Sequence, residues 1–194
     1  MKKSGASLTL PECEQLKMTE MPAALLLTVG PPLTSLFLVD AEIAPQDLLA
    51  VAKKCPNLRH FHLHGALFAD QQQCNLFQLV LCALPGELQT LDLKLFDAAS
   101  LQVDFPALPF LQSLEILRVQ ECLSTSLESV LLALPEMLRL REVNVRKSFE
   151  SDALLSSLSD NQPLLHHLTL GAGQHKLTGR DLCRISGLVH LTLW

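Results

Sequence analysis

Residues 58–63 read Leu-Arg-His-Phe-His-Leu, with apolar side chains at the first, fourth and sixth positions. This spacing occurs seven times, at Leu33/Leu36/Leu38, Leu58/Phe61/Leu63, Leu88/Leu91/Leu93, Leu114/Leu117/Val119, Leu140/Val143/Val145, Leu165/Leu168/Leu170 and Leu188/Leu191/Leu193. The starts of successive copies lie 25, 30, 26, 26, 25 and 23 residues apart. A fixed period of roughly 20 to 50 residues is typical of solenoid proteins, so the spacing predicts a repeat fold.

The repeats are predicted to fill the whole chain. An eighth, degenerate copy is predicted to begin at Gly5, with Leu8 and Leu10, 28 residues before Leu33. A length of 194 residues suits one domain. We therefore predict that residues 1–194 form a single domain of about eight repeats, ragged at both ends.

Each copy is predicted to be a short strand followed by a segment that returns over the core. Side chains alternate along a strand, so the fourth and sixth positions share the core face. Residues 46–55 place their apolar side chains on one helical stripe, and the capping-box spacing of residues 178–181 predicts another helix start. Residues 98–109 contain two prolines, which predicts an irregular or single-turn return.

This repeat resembles the leucine-rich-repeat family, in the long strand-plus-helix class of ribonuclease-inhibitor-like and F-box proteins. Cys13 and Cys122 lie eight residues after predicted repeat starts, where the cysteine-containing F-box relatives carry Cys or Asn, and residues 55–58 read Cys-Pro-Asn-Leu, a junction common there. The other copies depart from that pattern with Ala41, Ala66, Phe96, Ser148 and Gly173. The resemblance implies an α/β horseshoe with a concave parallel sheet and convex helices.

The same resemblance implies a function in protein binding. It suggests the substrate-recognition region of an F-box ubiquitin-ligase receptor. The predicted first strand leaves no room for an F-box after Met1, so a ubiquitin-ligase adaptor would bind through a missing N-terminal module. The alternative is a ribonuclease-inhibitor-like or other scaffold or regulator without a ubiquitin role.

Composition excludes several other classes of protein. Leucine accounts for 46 of the 194 residues, and the net charge of -5 argues against nucleic-acid binding, which needs clustered Lys and Arg. Apolar runs such as residues 23–27 are far shorter than the roughly 20 residues that cross a bilayer, and we see no signal peptide. We therefore expect a cytoplasmic or nuclear protein that binds neither nucleic acid nor membrane.

The sequence contains no recognised motif for catalysis or for a cofactor. Phosphate-binding, dinucleotide-binding, nucleophile-elbow and zinc-protease motifs are all missing, so we predict no enzyme activity and no cofactor. The six cysteines form no CxxC pair, which argues against a zinc or redox motif. Reduced thiols are expected, with disulfides as the alternative.

Three alternating histidines raise the possibility of a metal site. His60, His62 and His64 share one face of a predicted strand, and Asp92 lies on the next strand. Two of the imidazoles with Asp92 could bind a metal ion, but the first and fifth residues of a strand are about 13 Å apart. All three histidines therefore cannot bind one ion. We predict no metal and interpret the histidines as part of a polar binding face.

The residues that alternate with the core positions are predicted to form this face, on the concave side of the sheet. The predicted binding residues are Phe37, His60, His62, His64, Asp92, Lys94, Arg118, Glu142, Arg146, His167 and Trp194. Three cations and two anions give this set a net charge of +1, which favours an acidic protein or peptide. The alternative is that Arg118, Glu142 and Arg146 only pair with one another across strands.

Overall fold

Eight strands pair in sequence order, from β1 to β8, to form one parallel sheet. The computed structural model describes residues 15–18, 32–39, 43–65, 71–94, 103–120, 127–146, 151–171, 178 and 180–193. The strands are β1 (Gln15–Met18), β2 (Ser35–Val39), β3 (His60–His64), β4 (Thr90–Lys94), β5 (Ile116–Gln120), β6 (Glu142–Asn144), β7 (His167–Leu170) and β8 (His190–Leu193). Strand pairing places equivalent repeat positions side by side, for example Phe61 beside Leu91 and Leu91 beside Leu117.

The first described strand, β1, was not predicted from the sequence. In β1, Leu16 and Met18 pair with Leu36 and Leu38 of β2, so these equivalent positions lie 20 residues apart (36 - 16). The predicted start at Gly5, with Leu8 and Leu10, lies outside the described residues.

The core lies on one side of this sheet and consists of the predicted apolar positions. Leu91 and Leu93 of β4 are 0% exposed, and Leu117 of β5 is 1% exposed. The first position of each repeat from Leu33 to Leu165 is also buried. These apolar side chains are buried in one continuous core that adjacent repeats share. Their burial therefore stabilises neighbouring repeats against unfolding.

In the described part of the chain, four α-helices cover the core between the strands. They are α1 (Pro45–Lys54), α2 (Gln71–Ala83), α3 (Leu127–Ala133) and α4 (Asp152–Asn161). Helix α1 matches the prediction for residues 46–55 and begins at Pro45, where the missing amide hydrogen would have no partner within the helix. At the start of α4, Ser151 Oγ accepts a 3.1 Å hydrogen bond from the amide of Leu154.

The return that contains two prolines is irregular, as predicted. Its described part, from residue 103 onward, contains the 3₁₀ turns Phe105–Ala107 and Leu111–Ser113. The Ser129 hydroxyl, on α3, connects this return to the next repeat. It accepts a 2.8 Å hydrogen bond from the Phe105 amide and donates a 2.9 Å bond to the Val103 carbonyl.

The predicted helix start at residues 178–181 is wrong. Between residues 180 and 193 the structure has only the 3₁₀ turn Leu182–Arg184 before β8. The Thr178 hydroxyl donates a 2.8 Å hydrogen bond to Asp152 of the previous repeat, and the Thr178 amide donates a 3.0 Å bond to the same carboxylate. A contact between repeats therefore replaces the predicted helix cap.

The described cysteines form no disulfide with one another. Cys55 and Cys74 are buried, Cys82 is partly buried and Cys183 is exposed, and all four are free thiols. Burial raises the pKa of the Cys55 thiol, which keeps it protonated. Among the described helices, none combines the length and the apolar composition needed to cross a membrane.

Candidate binding face

The concave face consists of the first, third and fifth residues of the strands, on the side opposite the core. The predicted residues that are partly exposed there are Phe37, His60, His62, His64, Lys94, Arg118, Glu142 and Arg146, while His167 is exposed and Asp92 is buried. Trp194 lies outside the described residues. The structure therefore describes the position and burial of ten of the eleven predicted residues.

Asp92, at the centre of this face, accepts three hydrogen bonds. Its Oδ1 atom lies 3.0 Å from His64 Nε2, and its Oδ2 atom lies 3.2 Å from His62 Nδ1 and 3.3 Å from an Arg118 terminal nitrogen. An ionised carboxylate can only accept, so both imidazole nitrogens act as donors here. These contacts explain why Asp92 is only 4% exposed on a face that otherwise meets solvent.

Arg118 lies between two carboxylates. Its Nε donates a 2.7 Å hydrogen bond to Glu142 Oε1, and a terminal nitrogen contacts Asp92. We call His62, His64, Asp92, Arg118 and Glu142 the central network, which spans β3 to β6. The proposed pairing of Arg118 with Glu142 across strands is therefore confirmed, and the two carboxylates compensate the Arg118 charge.

The surroundings of Asp92 and Arg118 favour the charged forms of these two residues. Burial would raise the pKa of the Asp92 carboxyl, but the hydrogen bonds from His62 and His64 and the positive charges of these rings outweigh it. The net result is a pKa well below the usual range of an aspartate. The hydrogen bond to Glu142 is the main cause that raises the pKa of Arg118. Each charge in the network thus stabilises its neighbours.

His60 differs from the other two histidines of β3. Its Nδ1 atom forms a 2.9 Å hydrogen bond with the Thr90 hydroxyl, not with Asp92. Burial lowers the His60 pKa, as does the positive charge of His62, while Glu115 partly opposes both effects. Neutral His60 is therefore favoured, and the three histidines form two distinct environments.

Two ring stacks flank the central network along the sheet. Phe37 stacks on His62 with ring centroids 4.1 Å apart, and His167 stacks on His190 at 4.6 Å. In both pairs the residues are register partners on adjacent strands. The sequence predicted that Phe37, His62 and His167 share one face, but it did not predict the stacks. The signal that could have indicated them is that the two rings of each stack occupy the same position in neighbouring repeats.

The parallel sheet, the buried leucine positions and the returning helices together define an α/β leucine-rich-repeat solenoid. Internalin C2 from Listeria monocytogenes, a leucine-rich-repeat protein, has a similar crystal structure, with a TM-score of 0.50. The likeness covers 87% of this chain and 74% of that chain at 22% sequence identity. No protein-family model matches the sequence, and no curated protein matches it.

The structural likeness to internalin C2 concerns the fold. The assignment to the ribonuclease-inhibitor-like and F-box subclass stays a prediction. Two of the residues that suggested the F-box relatives, Cys13 and Cys122, lie outside the described residues. The junction at residues 55–58 is described. Its Cys55 side chain is buried at the end of α1, and its Leu58 side chain is buried at the next repeat start.

Proposed function

We propose that this chain is a protein-binding module whose partner is a protein or peptide that contacts the concave face. The observation that carries the proposal is the division of each strand into two faces. The core positions of β2 to β7 are all apolar and buried, whereas the alternating positions carry histidine, arginine, acid, amide and aromatic side chains. Packing does not dictate these residues, so they are available for recognition.

The charge of the face favours an acidic partner. Lys94, Arg118 and Arg146 oppose Asp92 and Glu142, which gives a sum of 3 - 2 = +1 within a chain of net charge -5. Lys94, the last residue of β4, and Arg146, two residues after β6, carry the other two positive charges of the set. An acidic segment would approach this part of the face with the least repulsion.

A finer proposal is that the chain is the substrate-recognition region of an F-box ubiquitin-ligase receptor, acting in the cytoplasm or nucleus. The solenoid fold and the Cys-Pro-Asn-Leu junction at residues 55–58 support it. In this proposal the ubiquitin-ligase adaptor binds an F-box N-terminal to the repeats, and the concave face binds the substrate. An F-box encoded upstream in the complete gene, with adaptor co-purification, is the expected result; a gene without one contradicts the finer proposal only.

Charge reversal on the concave face tests the general proposal. Partners captured by the wild-type chain are identified, and their affinities for a Lys94→Glu/Arg146→Glu variant are measured. We expect a loss of at least about tenfold, or about 1.4 kcal/mol. A Lys53→Glu/Arg139→Glu variant is the matched control, because both residues are exposed and lie outside the concave face. Equal binding by all three proteins would contradict a concave binding site.

A further inference from the structure

His62, His64 and Asp92 direct three potential ligand atoms at one place on the concave face. One nitrogen from each ring and one carboxylate oxygen all lie within 4.8 Å of one another. We propose that this trio binds a single divalent transition-metal ion of the zinc type. Neutral imidazole and carboxylate are common ligands of such ions, and the three side chains supply two nitrogens and one oxygen.

The distances within the trio suit a small ion. Ligands about 2.0 to 2.2 Å from a tetrahedral zinc ion lie about 3.3 to 3.6 Å from one another. His62 Nδ1 and His64 Nε2 already lie 3.2 and 3.0 Å from their respective Asp92 oxygens. Side-chain rotations would have to widen these two nitrogen–oxygen distances by a few tenths of an ångström. They would also have to bring the two ring nitrogens, which lie within 4.8 Å of each other, to the same spacing.

The sheet fixes the trio in place. His62 and His64 are alternate residues of β3 and so share a face, and Asp92 is the register partner of His62 on β4. Phe37 stacks on His62 at 4.1 Å and restricts the rotation of that ring. Rigid strands and a packed ring reduce the cost of ordering the ligands when the ion binds.

Arg118 is the cation that would compete with a metal ion for Asp92. Its terminal nitrogen lies 3.3 Å from Asp92 Oδ2, but its Nε is anchored by Glu142 at 2.7 Å. A carboxylate has lone pairs for both the metal and one hydrogen bond, so Arg118 can continue to donate to Asp92 and orient it. The Glu142 carboxylate offsets the Arg118 charge and limits its repulsion of the ion.

Metal binding needs a change of tautomer at each ring but no net loss of protons from neutral imidazoles. In the metal-free state the nitrogens that face Asp92 carry hydrogen, because they donate to the carboxylate. When the ion binds, the hydrogen of His62 resides on Nε2 and that of His64 on Nδ1. The freed lone pairs then bind the metal.

The site has a defined stoichiometry. His60 Nδ1 forms a 2.9 Å hydrogen bond with the Thr90 hydroxyl and is not part of the trio. Three protein ligands, from His62, His64 and Asp92, are therefore available for one ion. The His64 side chain is 31% exposed, which leaves the solvent side open for water as a fourth ligand. The expected stoichiometry is one ion per chain.

Titration of the purified, metal-free chain with zinc chloride tests the proposal by calorimetry. Cobalt(II) in place of zinc adds a visible absorption spectrum that reports coordination. We expect one saturable equivalent, and His62→Gln and His64→Gln should each weaken zinc binding by at least about tenfold. The matched controls are His60→Gln on the same strand and His167→Gln in the other ring stack, and both should bind zinc like the wild type.

Three results would overturn the proposal: no saturable binding of zinc to the wild type, wild-type affinity in the His64→Gln variant, or an equal loss in His60→Gln. The melting temperature of each variant with and without zinc separates a ligand effect from a folding defect. If His62→Gln fails to fold, the more exposed His64 decides the question alone. The probe is the ion itself, so the outcome does not depend on the proposed protein partner.

Discussion

Arg118 Nε and Glu142 Oε1 lie 2.7 Å apart in a diagonal contact between β5 and β6, although the register partner of Arg118 is Asn144. Both side chains are partly buried, with 31% and 26% of their surfaces exposed. The pair is therefore less screened by solvent than a surface ion pair. It connects the Asp92 side of the concave face to the later repeats.

Glu142→Gln should destabilise the protein by roughly 0.5 to 1 kcal/mol, because the charge-assisted bond to Arg118 becomes a weaker neutral one. Urea unfolding measures this change in the free energy of unfolding. The control is Glu87→Gln, whose carboxylate contacts Arg59 at 3.1 Å but is 72% exposed, and little change is expected there. Equal effects of the two substitutions would argue against a structural role for the central network.

Asp92 should make the stability depend on pH in the acid range. Its folded pKa lies below the ordinary value of 3.8, so the unfolded chain takes up the proton first as the pH falls. The stabilisation is complete above about pH 5 and is lost as the pH falls through 3.8 and then through the folded pKa. Asp92→Asn should flatten this part of the curve of unfolding free energy against pH, measured from pH 6 down to about 2. An unchanged slope, equal to that of the exposed-site control Asp104→Asn, would contradict the depressed pKa.

Leu117→Ala should lower the free energy of unfolding by about 2 to 5 kcal/mol, because it leaves a cavity at a core position that is 1% exposed. Leu117→Asp buries an unpaired charge as well and should unfold the adjacent repeats. Thermal melting and circular dichroism measure both effects. Leu132→Ala serves as the control, since Leu132 is 65% exposed. Wild-type melting of Leu117→Asp would show that the core assignment is wrong.

Strand β8 should promote self-association of the 194-residue chain. Leu191 and Leu193 are 42% and 62% exposed, and among the described residues no strand pairs with the outer edge of β8. Exposed apolar strand edges favour association with other chains. Leu193→Lys should therefore shift sedimentation toward the monomer. Leu138→Lys changes an equally exposed leucine outside β8 and should leave association as it is.

The leucine spacing predicted the strands and their register from β2 onward, because burial dictates which positions are apolar. The register partners Leu91 and Leu117 could be named from the spacing alone. The strand Gln15–Met18, which pairs with β2, was not predicted, because Met18 departs from a template of leucines. Periodicity therefore predicts repeats best where leucine itself fills the core.

The contacts of the central network could not be predicted in full. Alternation along β3 places three histidines near Asp92, but side-chain rotation decides which of them donates to it. The stack on Phe37 and the hydrogen bond with Thr90 separate His62 from His60. Such choices depend on rotamers and on distances of tenths of an ångström, which a repeat pattern does not encode.

The sequential strand order has a mechanical consequence. Among the described residues, each strand pairs only with the strands before and after it in the chain, and β1 does not pair with β8. Force applied to the termini would therefore peel repeats from the ends one at a time, and the extension would grow in steps of roughly one repeat length. The force needed to unfold the protein would therefore be set by the weakest interface between two adjacent repeats.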